Sequence, residues 1–129
     1  MNMNDQPLLR KLKTLTKGLT FMSESDYPVE VLWQKAATAQ DLIAARNPKA
    51  AVTEIDFDNF FRPATQEQPG QTAEAQQTVK RFQTLVKALK ENLSDIKVYR
   101  AGDVEADIYI IGKTPSGNFA GVTTKVVET

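Results

Sequence analysis

Two short strings in this chain concentrate oxygen atoms. Ser23-Glu-Ser-Asp26 puts two hydroxyls and two carboxylates within four residues, and Glu128-Thr129 ends the chain with a hydroxyl beside a free carboxylate. The first set suits contact with a cation or an arginine, and equally suits a turn in which serine and aspartate satisfy backbone groups. In the second, both threonine oxygens are placed to approach one hard divalent cation, and equally the strand simply stops there. A third polar stretch, Gln66-Glu-Gln-Pro-Gly-Gln-Thr72, offers the amides of Gln66, Gln68 and Gln71.

What is missing narrows the chemistry further. The 129 residues contain no histidine and no cysteine. That removes the usual general base near neutral pH, thiol nucleophiles, disulfides, and the nitrogen and sulfur ligands of zinc sites. Among the remaining carboxylates, hydroxyls and lysines no spaced pair stands out, so the sequence argues against an enzyme. Sixteen basic and sixteen acidic residues cancel, leaving no global field to draw in nucleic acid or an anionic membrane. Any partner must be recognised locally. Apolar runs are short and no basic segment leads into a hydrophobic stretch, so a soluble, cytoplasmic protein is expected.

The elements that must position these groups form one domain over residues 1–129. Leu8, Leu12, Leu15 and Leu19 predict an amphipathic helix starting near Asp5-Gln-Pro7 and ending at Gly18. Phe21 to Pro28 reads as a loop, Val29 to Gln34 as a strand, Thr38 to Arg46 as a short helix stopped at Asn47-Pro48, and Ala51 to Phe57 as another strand. Arg62 to Thr72, with two prolines and a glycine, reads as an exposed mobile loop. Val79, Phe82, Val86, Leu89 and Leu93 define a main core helix with Lys80, Lys87 and Lys90 on its wet side. The last third predicts a meander: Ile96 to Arg100, a turn at Ala101-Gly-Asp103, Asp107 to Lys113, a tight Thr114-Pro-Ser-Gly117 turn and a terminal strand. In that strand Val122, Thr124 and Val126 would face the core and Thr123, Lys125 and Val127 would face outward. Trp33, Tyr109, Phe57, Phe60 and Phe61 read as core or its margin. Gly112, Gly117 and Gly121 lie between and within strands, so they read as turn and strand glycines. The sum is an α+β domain, a largely antiparallel sheet covered by helices.

Three strings carry a resemblance. Phe21-Met-Ser-Glu-Ser-Asp-Tyr-Pro-Val-Glu-Val31, Val98-Tyr-Arg-Ala-Gly-Asp-Val-Glu-Ala-Asp-Ile-Tyr-Ile-Ile-Gly112 and the run from Thr114 to Thr129 closely resemble the nuclease A inhibitor family. The resemblance spans nearly the whole chain, including Asp56-Phe-Asp-Asn-Phe-Phe61 and Lys80-Arg-Phe-Gln83. It implies an α/β/α sandwich without catalysis or cofactors of its own. Such a protein binds one-to-one to a sugar-non-specific, magnesium-dependent endonuclease acting on DNA and RNA, and puts loops and its chain end into the active-site cleft. The family's terminal threonine, matched by Thr129, engages the hydrated magnesium of the nuclease. The glutamate of its Phe-Met-Ser-Glu motif, matched by Glu24, meets a catalytic arginine. A loop glutamine, for which Gln66, Gln68 and Gln71 each offer an amide and Gln68 stands as the representative, contributes to the interface together with a tryptophan that has no counterpart in residues 66–72 here. The resemblance implies no direct contact with nucleic acid or membrane, and a monomer when free.

Two other readings stand beside it. The same fold would serve as an interaction module for a different protein, and the altered loop favours that. A small hydrolase using Glu24 and Asp26 would instead need a pocket holding both carboxylates.

Overall fold

The computed structural model describes residues 5–22, 26–35 and 38–127. The leucine repeat forms α1, Gln6–Thr16, with Pro7 in the first turn, where a missing N–H leaves no helical bond unmade. Leu8, Leu9 and Leu12 line its buried face. Gly18, at φ +70°, takes the left-handed conformation that lets the chain leave the helix. Leu19 is buried beyond the helix rather than within it.

From there the structure departs from the sequence reading of a plain loop. Strands β1, Thr20–Met22, and β2, Asp26–Pro28, pair antiparallel with Phe21 opposite Tyr27. Three-residue strands are too short for alternation to register. Their stability comes from the Phe21 ring, stacked on Phe60 at 4.8 Å and set edge-on to Phe82 at 5.8 Å.

Strand β3, Glu30–Gln34, and helix α2, Ala39–Arg46, follow as expected, α2 opening with the Thr38 hydroxyl accepting the Asp41 N–H. Strand β4 is Val52–Ile55. Helix α3, Phe57–Thr65, then takes up residues that read as strand end and loop. Pro63 marked a breaker in sequence, yet the Asp56 carboxylate accepts the Asn59 N–H and fixes the start, and Phe57, Phe60 and Phe61 pack as a cluster. Packing and the cap together hold a helix that propensity alone breaks. The loop therefore begins at residue 66 and not at 62.

Helix α4, Ala73–Asn92, is the core helix, capped by the Thr72 hydroxyl and burying Val79, Phe82, Leu85, Ala88 and Leu89. Strands β5, Ser94–Gly102, β6, Glu105–Lys113, and β7, Phe119–Val127, complete the meander. Since β5 runs through Gly102, the first turn sits at 103–104, slightly later than expected. The second is the expected β-turn, with the Gly117 N–H donating to the Thr114 carbonyl at 2.9 Å.

The main sheet has the order β3-β7-β6-β5-β4, every neighbouring pair antiparallel. Helices α1, α3 and α4 cover one face, where Val98, Ile108, Ile110, Val122 and Val126 meet Leu12, Phe82, Leu85 and Leu89. Leu42 and Ile43 of α2 cover part of the other against Leu32, Tyr99, Tyr109, Ile111 and Phe119. The result is a mixed α/β/α layering. In β7, Val122, Thr124 and Val126 are buried, while Thr123, Lys125 and Val127 keep partial exposure on the α2 side, as the alternation predicts. Trp33 is half-buried and Tyr109 is core.

Candidate partner-binding edge

Glu24 and Thr129 lie outside the described residues, as does the rest of the 23–25 and 128–129 segments. The described strands that flank both segments, and the loop carrying Gln68, are placed by the contacts below.

Strand β7 runs antiparallel to β3, so its register passes from Phe119 beside Gln34 to Thr123 beside Glu30. Continuing, β7 meets the residues that precede β3 in the chain, which belong to the hairpin. The Thr124 hydroxyl lies 3.0 Å from the Pro28 carbonyl oxygen and 3.4 Å from that of Tyr27, donating to them. The Lys125 ammonium sits 5.7 Å from the centre of the Tyr27 ring and 2.9 Å from a Glu105 carboxylate oxygen. That carboxylate raises the Lys125 pKa above its ordinary value by hydrogen bonding and by charge. On the far side of β7, Val127 pairs with Glu105, which brings in the β5–β6 turn, where the Arg100 guanidinium donates to the Asp103 carbonyl. Thus the strand leading to residue 128 and the strand leaving 25 lie side by side.

The hairpin's other strand faces the opposite way. Phe21 enters the crevice between α3 and α4, lining a groove of about 210 Å³ with Pro63, Ala64, Gln71, Ala75, Thr78, Val79 and Phe82. Gln71 belongs to the 66–72 loop, which carries its own order: the Gln68 N–H donates to Gln71 Oε1 at 3.0 Å, and the Gln71 N–H to the Gln68 carbonyl at 3.3 Å. The Gln68 side chain is exposed and has no partner among the described residues. Phe21 therefore joins the hairpin to the loop base, a role the sequence reading gave it no hint of. No local periodicity signals it, because a three-residue strand is too short to show alternation.

The hairpin also borders a polar cleft on the α2 side of the sheet, about 480 Å³, which reaches Glu30, Arg46, Asn47, Asp107, Tyr109 and Thr123. Here the Tyr109 hydroxyl donates to Asn47 Oδ1 and Asn47 Nδ2 donates to Asp107 at 2.8 Å. Burial and the Asp107 carboxylate push the Tyr109 phenol above its ordinary pKa, keeping it a donor. This chain ties the end of α2 to β6, which gives those polar groups a structural task. Among the described residues no three carboxylates gather as a metal site would require. The Arg81 guanidinium is likewise committed, closing the end of α1 by donating to the carbonyls of Leu15 at 3.1 Å and Lys17 at 2.6 Å. Gly112-Lys113-Thr114 has the ending of a phosphate-binding loop, but it finishes β6 and enters a turn instead of opening a helix.

At the other end of the sheet, Asp5 anchors the start of α1. Its Oδ2 accepts Trp33 Nε1 at 2.8 Å and Asn118 Nδ2 at 2.9 Å, and the residue is 1% exposed. Burial pushes this carboxyl up, but hydrogen bonding, led by Trp33 and Asn118, outweighs it and holds it below the ordinary value of 3.8. Asp5 thus pins the end of β3 and β7 opposite to the β1–β2 hairpin and the last residues of β7.

No helix among the described residues is long and apolar enough to cross a membrane. A comparison with curated proteins finds no match to the chain. The family model described as nuclease A inhibitor-like protein matches residues 6–129, nearly the full length, and the chain therefore belongs to that family.

Proposed function

We propose that this protein inhibits a sugar-non-specific, magnesium-dependent endonuclease by occupying its active-site cleft, as a one-to-one complex in the cytoplasm. Thr129 presents oxygen atoms toward the nuclease's magnesium ion, Glu24 faces a catalytic arginine, and Gln68 contributes an amide from the flank. A carboxylate against a guanidinium makes a strong charge-assisted pair, and oxygen ligands on the hydrated metal stand where the scissile phosphate must go. Substrate is excluded by competition, and the inhibitor performs no chemistry.

The observation that carries this reading is the Thr124 contact with the Pro28 carbonyl. It supports a common edge for the strands that lead to residue 128 and away from residue 25, whose adjoining segments one cleft must receive together. Phe21 extends the same edge toward the loop of Gln68. The test is a titration of the purified protein into a nuclease assay at fixed magnesium. Inhibition should reach completion near one equivalent, and excess magnesium should not restore cleavage, because a filled cleft differs from simple chelation. Full cleavage in the presence of several equivalents overturns the proposal.

The composition of residues 66–72, which includes no aromatic side chain, favours a second reading: the same edge docking on a different protein. Capture from lysate beside capture of the nuclease separates the two.

A further inference from the structure

The loop carrying Gln68 offers a partner only amides, a carboxylate, a proline, a glycine and a threonine. Interfaces draw most of their affinity from a few buried apolar or aromatic anchors seated in pockets. The described part of this edge has a pocket for such an anchor and does not fill it. The groove between α3 and α4 is walled by Phe21, Ala64, Ala75, Val79 and Phe82, with Gln71 and Thr78 as its polar members. Val79 and Phe82 are buried at its base, while Ala75, Thr78 and Gln71 are only half-covered at its mouth. At about 210 Å³ it exceeds the roughly 150 Å³ of an apolar cavity that accepts benzene, so an aromatic ring or a branched aliphatic side chain fits.

We propose that this groove receives one aromatic or branched apolar side chain of the inhibited nuclease, so that the anchor comes from the enzyme and the socket from the inhibitor. The inference rests on the inhibitor reading above. Its physical basis is continuity: Phe21 stands two residues before Ser23, and Gln71 is hydrogen-bonded to Gln68, so the groove opens between the two segments that reading sets against the enzyme. The walls are also stiff. Phe21 is held by two ring contacts and Phe82 belongs to the central helix, so seating a ring there costs little reorganisation.

The experiment fills the socket. Ala75→Trp places an indole into the groove from its half-covered wall, and Thr78→Lys sets a charge across its mouth without demanding new volume in the core. Each variant is melted, then titrated against the magnesium-dependent nuclease beside the unaltered protein. The expected result is a melting temperature within a few degrees of the parent and inhibition weakened at least thirtyfold by either variant that folds. Parental inhibition by a folded variant overturns the socket while leaving the inhibitor reading intact. Failure of the unaltered protein to inhibit brings down both. Sedimentation of the free proteins covers the remaining occupant: a parent dimer that the variants split, with inhibition unchanged, assigns the groove to a second copy and overturns the proposal.

Discussion

The Thr124 hydroxyl donates to the Pro28 carbonyl across 3.0 Å, joining the last strand of the chain to the strand that leaves the hairpin. Thr124 is a buried polar side chain on the helix-covered face of the sheet, where valines and isoleucines otherwise dominate. Among the described residues its hydroxyl compensates its burial through that contact and the longer one to Tyr27.

Thr124→Val keeps the shape and removes the donor. The expected loss is about 1 kcal/mol, seen as a fall of about 3–5 °C in thermal midpoint. Inhibition should weaken more than stability, because β2 is then free to shift relative to β7. Equal inhibition constants for the variant and the parent would detach this hydrogen bond from function.

At the proposed contact points, Glu24→Ala, Thr129→Ala and a single residue appended after Thr129 should each relieve inhibition with no drop in melting temperature. A truncated charge pair at a desolvated interface costs about 2–5 kcal/mol, or roughly thirtyfold and upward in affinity. Binding measured by calorimetry checks the size. Unchanged inhibition by all three rules out the cleft-occupying mechanism.

Asp5 predicts how the protein responds to acid. Its carboxyl is held below 3.8 in the folded chain, so between the folded and unfolded values the unfolded state binds more protons. The stability it supplies is complete above the unfolded value and is lost as pH falls through the folded one. Asp5→Asn leaves one oxygen to accept from Trp33 and Asn118 but removes the charge that strengthens both bonds, so it should cost about 1–2 kcal/mol at neutral pH. It should also flatten the decline of melting temperature below about pH 4. An acid limb identical to the parent's would show that Asp5 does not govern it.

Gly121 tests the frame itself. A Cβ there would lie 1.8 Å from the Ile110 carbonyl oxygen, a backbone atom fixed by the β6–β7 ladder. Gly121→Ala should cost about 4 kcal/mol or leave the chain unfolded. Circular dichroism and a melt decide it, and a variant as stable as the parent would mean that β6 and β7 can separate there at little cost.

Much of the scaffold was legible from local pattern. Val79, Phe82 and Leu89 recur with a helical period, and Val122, Thr124 and Val126 alternate, because each set buries one face of a regular element. The parts that escaped were those in which distant packing overrides local preference. Pro63 signals a break, and the capped, phenylalanine-rich α3 continues through it. The pieces 20–22 and 26–28 are too short to show a period, and they pair because Phe21 is gripped by Phe60 and Phe82.

By itself the amino-acid order determined the chemistry open to this protein, with no histidine or cysteine, balanced charge, and the strings that announce its family. It also determined most helices and strands, since each is a property of neighbours along the chain. Only the tertiary structure decided which separate segments share an edge: Thr124 meets a carbonyl 96 positions earlier, and Phe21 meets Gln71 around a common groove. Such meetings arise from how faces pack once the elements exist, and periodicity within an element carries no record of them.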